Sequence, residues 1–153
     1  MTKNLSYTEL TYLYQQKQRE LLSNFPDSSD PKQIYEKIIK LGQLLPPFPL
    51  ELRTEKTLVS GCQSEVFLLA TIDSEGKIFY QIHSDALISA GLAALLLSIY
   101  QGEYAELTLL CPPLFITELG LAKNLSPGRS NGLASIYSRM KAEAMNLHLK
   151  RQS

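Results

Sequence analysis

Cysteine is scarce in this chain: Cys62 and Cys111 are the only two in 153 residues. Two are too few for a disulfide scaffold. Histidine is as scarce, with only His83 and His148 present. No run of Lys or Arg occurs, and 15 basic side chains balance 15 acidic ones to a net charge of zero. Nothing in that balance builds the basic face that nucleic acid requires. Long apolar runs are missing too. The most apolar window, residues 86–100, is too short to span a bilayer and contains Ser89 and Ser98. Residues 1–6 lack the apolar region of a signal peptide. A cytoplasmic protein is therefore expected, with no membrane and no nucleic acid among its partners. There are no internal repeats and no low-complexity tracts.

What remains is an ordinary globular composition, 44% hydrophobic and 20% charged, in a chain long enough to bury one core. Ser6 and Glu9 have the spacing of a capping box, and a helix over Tyr7–Ser23 follows from them. Residues 26–30 read as a loop. Asp30-Pro31 is a second helix start, with Asp as N-cap and Pro at the first helical position. Ile34, Tyr35, Ile38, Ile39 and Leu41 then form a helical stripe, and Gly42 is placed to close it. Residues 44–50 carry three prolines and must be extended without pairing as a central strand. Strands are expected over residues 56–60, 64–72 and 77–83, with a turn at Asp73-Ser74-Glu75-Gly76, and neighbours this close pair antiparallel. Ser84 or Asp85 caps a helix that runs to Tyr100, in which Gly91 and Ala94 permit close approach of another element. Short helical pieces over residues 104–121 are broken by Cys111-Pro112-Pro113. A turn at residues 126–132 caps a last helix that buries Leu133, Ile136, Tyr137, Met140, Ala144 and Leu147. The sum is α+β: a small three-stranded antiparallel sheet packed by helices.

The stretch that organises the chain runs from Leu58 to Phe67. Two apolar segments flank Ser60-Gly61-Cys62-Gln63-Ser64-Glu65. Gly61 permits a tight turn or bulge, because it has no Cβ to clash at positive φ. Cys62 should then sit at the bend where one strand becomes the next. A free cysteine is more often a small buried hydrophobe. Here Gly, Gln and Ser neighbours suit an accessible turn better, and favour a reactive thiol. If the following hairpin turns about Glu75, the residues just after Asp85 lie opposite Cys62. The start of the 84–100 helix then stands beside the thiol, and its free N–H groups favour an anion there. The same register sets His83 opposite about Phe67, roughly 16 Å from Cys62 at ~3.3 Å per residue, so it is a poor base for that thiol. Cys111, in an apolar stretch, reads as packing or, less favoured, as a resolving thiol. Asp85 is first a cap and second a site residue. His148 suits the C-terminal end of the last helix. Arg129 is either a cap or a solvated charge, or the partner of an anion.

These residues carry a resemblance. Ser60-Gly61-Cys62-Gln63-Ser64-Glu65-Val66 resembles the G-C-Q-S-x-V motif of the SufE family of cysteine desulfuration proteins (SufE/CsdE-like sulfur acceptors). Residues 35–46 resemble its helix-to-proline segment, residues 84–92 its S-D-A-x-I-x-x-G-L helix start, and residues 125–133 its L-[ST]-P-x-R-x-x-G-L turn. The resemblance divides the chain into an N-terminal extension, residues 1–17, which the capping box makes helical, and one SufE-like domain, residues 18–150. Glu65 stands where many relatives have Gln, adding a carboxylate expected to raise the pKa of the thiol, and Phe67 stands where many have Trp.

The resemblance implies a fold like that of the IscU-type scaffold proteins and a place in iron–sulfur cluster assembly. Cys62 would take persulfide sulfur from a pyridoxal-phosphate-dependent, SufS-like cysteine desulfurase, stimulate that enzyme, and pass the sulfur to a SufBCD-like scaffold complex. Gly61, Gln63, Ser64, Asp85 and Arg129 would support the thiol or bind the partner. The protein would hold no cofactor or metal and would not be an enzyme on its own. A purely regulatory binder of the desulfurase is one alternative. An iron–sulfur scaffold-like protein is another, although it calls for about three cysteine or equivalent ligands around one site. A cysteine hydrolase needs a base beside Cys62, and neither histidine is well placed.

Overall fold

The computed structural model describes residues 5–26, 30–121 and 125–153. Helix α1 spans Tyr7–Ser23, and its capping box is present: the Ser6 hydroxyl accepts from the Glu9 amide, and Glu9 accepts from the Ser6 amide. Leu10, Tyr14 and Leu21 fix its buried face, so the residues of the expected extension and the start of the expected domain share one continuous helix. The 26–30 loop falls mostly on residues 27–29, outside the described residues.

Helix α2 spans Pro31–Gln43, with Asp30 accepting from the Lys32 amide and Pro31 in the first turn. Gly42 does not end it: the C-cap is Leu44, and Gly42 instead lies against the backbone of Gly91 in the next helix. The proline segment is extended through residues 46–49 and ends in a single 3-10 turn, Leu50–Leu52.

The sheet is antiparallel in the order β1-β2-β3, with β1 at Val66–Ile72, β2 at Lys77–Ser84 and β3 at Glu103–Tyr104. Its register matches expectation, since Phe67 pairs with His83. Its membership does not. The strand expected at residues 56–60 is a turn followed by one isolated bridge, Leu58 to Phe67. The Thr57 hydroxyl donates to Leu52 O at 2.6 Å and accepts from the Thr54 amide at 3.1 Å, which folds residues 54–57 back on themselves. Such side-chain bonds compete with a strand ladder. The third strand is the two-residue β3 at the far edge, too short to leave a periodic signal.

Helix α3, Leu87–Tyr100, is apolar on nearly every side because α2, α1, the sheet and the last helix all pack on it. Gly91 meets Ile38 of α2, the close approach its missing side chain permits. Short helices α4, Ala105–Leu110, and α5, Phe115–Glu118, flank Cys111-Pro112-Pro113. The last helix, α6, spans Pro127–Gln152 and buries Leu133, Ile136, Met140 and Ala144. Residues 127–132, expected as a turn, are already helical: Ser126 is the N-cap, and its hydroxyl accepts from the Arg129 amide at 3.3 Å. Arg151 near the far end donates to Ser74 O, which fastens the β1–β2 turn to α6.

Candidate functional site

Cys62 sits on a loop, residues 60–65, closed by the Val59 amide donating to Val66 O at 2.8 Å. A second bond, from the Leu68 amide to Thr57 O at 2.8 Å, steadies the base of that loop. Gly61 makes the bend with φ +91°, a value that L side chains rarely adopt. The thiol is therefore at a tip, and it points inward: it is half-buried, and Sγ stands 3.8 Å from Gly132 O of α6. Burial pushes the pKa of Cys62 above the usual thiol value. The exposed Glu65 carboxylate is not among the causes, so desolvation raises the pKa where the sequence suggested a neighbouring charge.

Beside the thiol lies a cavity of about 440 Å³ whose wall includes Cys62, Gln63, Ser64, Ile88, Arg129 and Gly132. Its lining joins the start of α3, which the sequence register set beside Cys62, to Gly128, Arg129 and Gly132 of α6, which the register did not place. The start of α3 forms one wall through Ala86, Leu87, Ile88 and Ser89. Ala86 is the N-cap and supplies no side-chain bond, so the first-turn N–H groups of α3 have no side-chain acceptor there. Ser64 and Ser89 hydroxyls meet at 2.9 Å and tie the Cys62 loop to that helix. Arg129, exposed in the first turn of α6, puts a guanidinium on the rim. Gln63 lies across Gly128, where a Cβ would overlap its amide.

Asp85 is placed differently from expectation. It does not cap α3; the side chain is 88% exposed and stands 3.1 Å from His83 Nε2. Ser84 instead closes a short turn by accepting from the Ala86 amide at 3.2 Å. The helix starts two residues later than the sequence suggests: Ser84 uses its hydroxyl in a local turn at Ala86, and Ala86 rather than Asp85 takes the N-cap position. Neither Asp85 nor His83 lines the thiol cavity. His83 packs near the Phe48 ring, and His148 stands 3.8 Å from Glu106. Cys111 is buried, with its thiol 4.0 Å from Leu10 O, and burial raises its pKa too.

Two residues were not legible as part of the site. Ser89 reads in sequence as a polar interruption in an apolar helix, and only the fold sets it against Ser64. Arg139, for which the sequence offered no reading, binds the arm of the Cys62 loop. Among the described residues, no group of three or more His, Cys, Asp or Glu side chains is placed to hold a metal ion. Among those residues, no helix is long and apolar enough to cross a membrane.

Known proteins resemble the chain over most of its length. Residues 19–144 match the SufE family, described as an iron–sulfur metabolism associated domain. SufE-like protein 1, chloroplastic/mitochondrial, of Arabidopsis thaliana is 34% identical over 134 residues, which is 88% of this chain but only 36% of that protein. An uncharacterised SufE-like protein of Synechocystis is 35% identical, covering 85% of this chain and 81% of its own. The solution structure of a hypothetical protein from Thermus thermophilus has the same fold, with TM-score 0.69 and 25% identity over 88% of this chain and 95% of that one.

Proposed function

The chain belongs to the SufE family, with a role in iron–sulfur metabolism, and from that premise we propose that it is a sulfur acceptor and carrier working through Cys62. The donor is a pyridoxal-phosphate-dependent, SufS-like cysteine desulfurase that carries a persulfide on its own cysteine. The recipient is a SufBCD-like scaffold complex. The cytoplasm is the proposed compartment, and Gly61, Gln63, Ser64, Asp85 and Arg129 form the supporting and partner-facing set.

The carrying observation is the placement of Cys62 at a loop tip, opening on a cavity shared with Arg129 and the start of α3. In the transfer, the Cys62 thiolate attacks the outer sulfur of the donor persulfide. A new S–S bond forms on Cys62 as the donor's S–S bond breaks. The donor cysteine leaves as a thiolate and takes up the proton that Cys62 lost, so no outside oxidant or reductant is consumed. A thiol with an ordinary pKa near ~8.5 is only a few per cent ionised at neutral pH, and burial pushes Cys62 higher still. Groups that favour the anion would raise the thiolate share when the partner docks. The Arg129 guanidinium and the first-turn N–H groups of α3 are the features on hand to favour an anion.

The cavity wall carries no imidazole and no carboxylate among the described residues, which weighs against a hydrolase. The lack of a ligand cluster around Cys62 among the described residues weighs against a scaffold-like role.

Incubation with a SufS-like desulfurase and cysteine, followed by mass spectrometry, tests the proposal. The peptide holding Cys62 should gain one sulfur atom. Cys62→Ser should gain none while still unfolding cooperatively, and Cys111→Ala should accept nearly as well as the parent. Full desulfurase stimulation by Cys62→Ser would make the protein a regulatory binder instead.

A further inference from the structure

One face of α6 carries the segment that bears the thiol. Gly128, Gly132, Ser135, Arg139 and Glu143 follow at spacings of four, three, four and four, which places them in one stripe along the helix. Residues 56–63 run antiparallel along that stripe. Gln63 lies on Gly128, and the Cys62 thiol faces Gly132 O. Gly61 abuts Ser135: a Cβ there would stand 2.5 Å from the Ser135 hydroxyl. Beyond it, the Arg139 guanidinium donates to Leu58 O at 3.1 Å and to Lys56 O at 2.5 Å. Glu143 holds the guanidinium from the other side at 2.9 Å.

The two ends of this track differ in kind. At the Cys62 end the contacts are with small residues and one long thiol bond, which resist separation weakly. At the Arg139 end a charged, two-pronged fork grips two main-chain carbonyls, and bonds of that kind are about twice as strong as neutral ones. Leu58 and Lys56 lie only four and six residues before the thiol, and the Leu58–Phe67 bridge links them to β1.

We propose that Arg139, held by Glu143, is a positioning residue that clamps the arm of the Cys62 loop to α6 and so sets how far the thiol opens to solvent and to a partner. The clamp rests on the sulfur-acceptor reading only for what that access serves. A carbonyl grip needs the guanidinium fork: lysine offers a point charge that can satisfy one carbonyl well but not both in the same geometry.

The test is alkylation of the native protein by iodoacetamide at constant pH, resolved by mass spectrometry at each cysteine. Cys111, buried under α1, serves as the internal reference. Arg139→Met should alkylate Cys62 about tenfold faster than the parent, on the scale expected for losing charged hydrogen bonds. Cys111 should stay unlabelled in both. Arg139→Lys should fall between them. An unchanged Cys62 rate in Arg139→Met, or Cys111 labelled in step with Cys62, overturns the clamp, the latter because general loosening is then the cause. Should Arg139→Met fail to fold, Arg139→Lys decides alone, and a Cys62 rate equal to the parent's overturns the proposal. No desulfurase enters this assay. Faster alkylation without any sulfur acceptance would support the clamp and sink the acceptor reading.

Discussion

The contact of α2 with α3 sets where the first turn of α3 stands, and hence one wall of the thiol cavity. It depends on two glycines. A Cβ on Gly91 would overlap the carbonyl oxygen and Cγ2 of Ile38, while one on Gly42 would stand 2.6 Å from Gly91 N and 2.8 Å from the Ala90 carbonyl carbon. Neither obstacle is a flexible side-chain end, so the helices must part. Overpacking of this kind costs about 1–3 kcal/mol or more. Replacing a helical glycine by alanine returns at most ~1 kcal/mol of propensity. Gly91→Ala, with the worse overlap, should lose a net ~2 kcal/mol, and at roughly 2–4 °C per kcal/mol for a domain of this size its melting temperature should drop by ~4–8 °C. Gly132→Ala is the matched comparison. Its Cβ would meet only the Cys62 sulfur, at 3.9 Å, an ordinary contact. That variant should melt at or slightly above the parent temperature, by propensity alone. Thermal unfolding followed by circular dichroism reads both. A Gly91→Ala protein as stable as the parent would refute the packing argument, and so would a Gly132→Ala protein that melts with it.

Two further expectations concern charges around the thiol. Asp85→Asn should leave stability and the Cys62 alkylation rate at neutral pH within about twofold of the parent, because the side chain neither caps α3 nor lines the cavity. A clear acceleration would show that the carboxylate restrains the thiolate, since a nearby negative charge disfavours ionisation. Arg129→Ala should weaken desulfurase stimulation with little change in melting temperature, as the side chain is exposed and only its amide serves the Ser126 cap. Unchanged stimulation, or a large fall in melting temperature, would return Arg129 to a structural role.

The elements that declare themselves by local chemistry were legible in the sequence. Ser6 with Glu9 and Asp30 with Pro31 both start the helices they mark. The β1–β2 hairpin follows from its turn residues, and with it the Phe67–His83 register. Three readings failed for one shared reason. Residues 56–60, the start of α3 and the role of Gly42 each turn on a competition that pattern alone does not score. Thr57 folds its own backbone into a turn, Ser84 uses its hydroxyl in a local turn at Ala86 rather than to open the helix, and Gly42 answers to Gly91 on another helix. In each case a polar or missing side chain has two structural uses, and tertiary context picks the one with lower energy.

The site divides along the same line. The loop placement of Cys62 was legible because Gly61, Cys62, Gln63 and Ser64 form a short polar break between apolar runs. The start of α3 beside it was legible from the register, but the opposite wall was not, because it comes from α6, more than sixty residues later. On α6 the glycines at 128 and 132 look like loop residues until the helix is seen to begin at Pro127. Helical placement changes their meaning. A glycine in a loop supplies freedom, whereas a glycine facing inward on a helix leaves a recess, and here the recess at Gly128 takes Gln63 while Gly132 stands in ordinary contact range of the thiol. The resting thiol is half-buried, burial favours its protonated form, and the exposed Arg129 stands on the wall of the same cavity. The proposed carrier role benefits from a resting thiol that stays protonated. A thiolate formed permanently at an exposed tip would react with any electrophile or oxidant. Under the proposed transfer, a thiolate favoured only when a donor docks would react with the donor's sulfur instead.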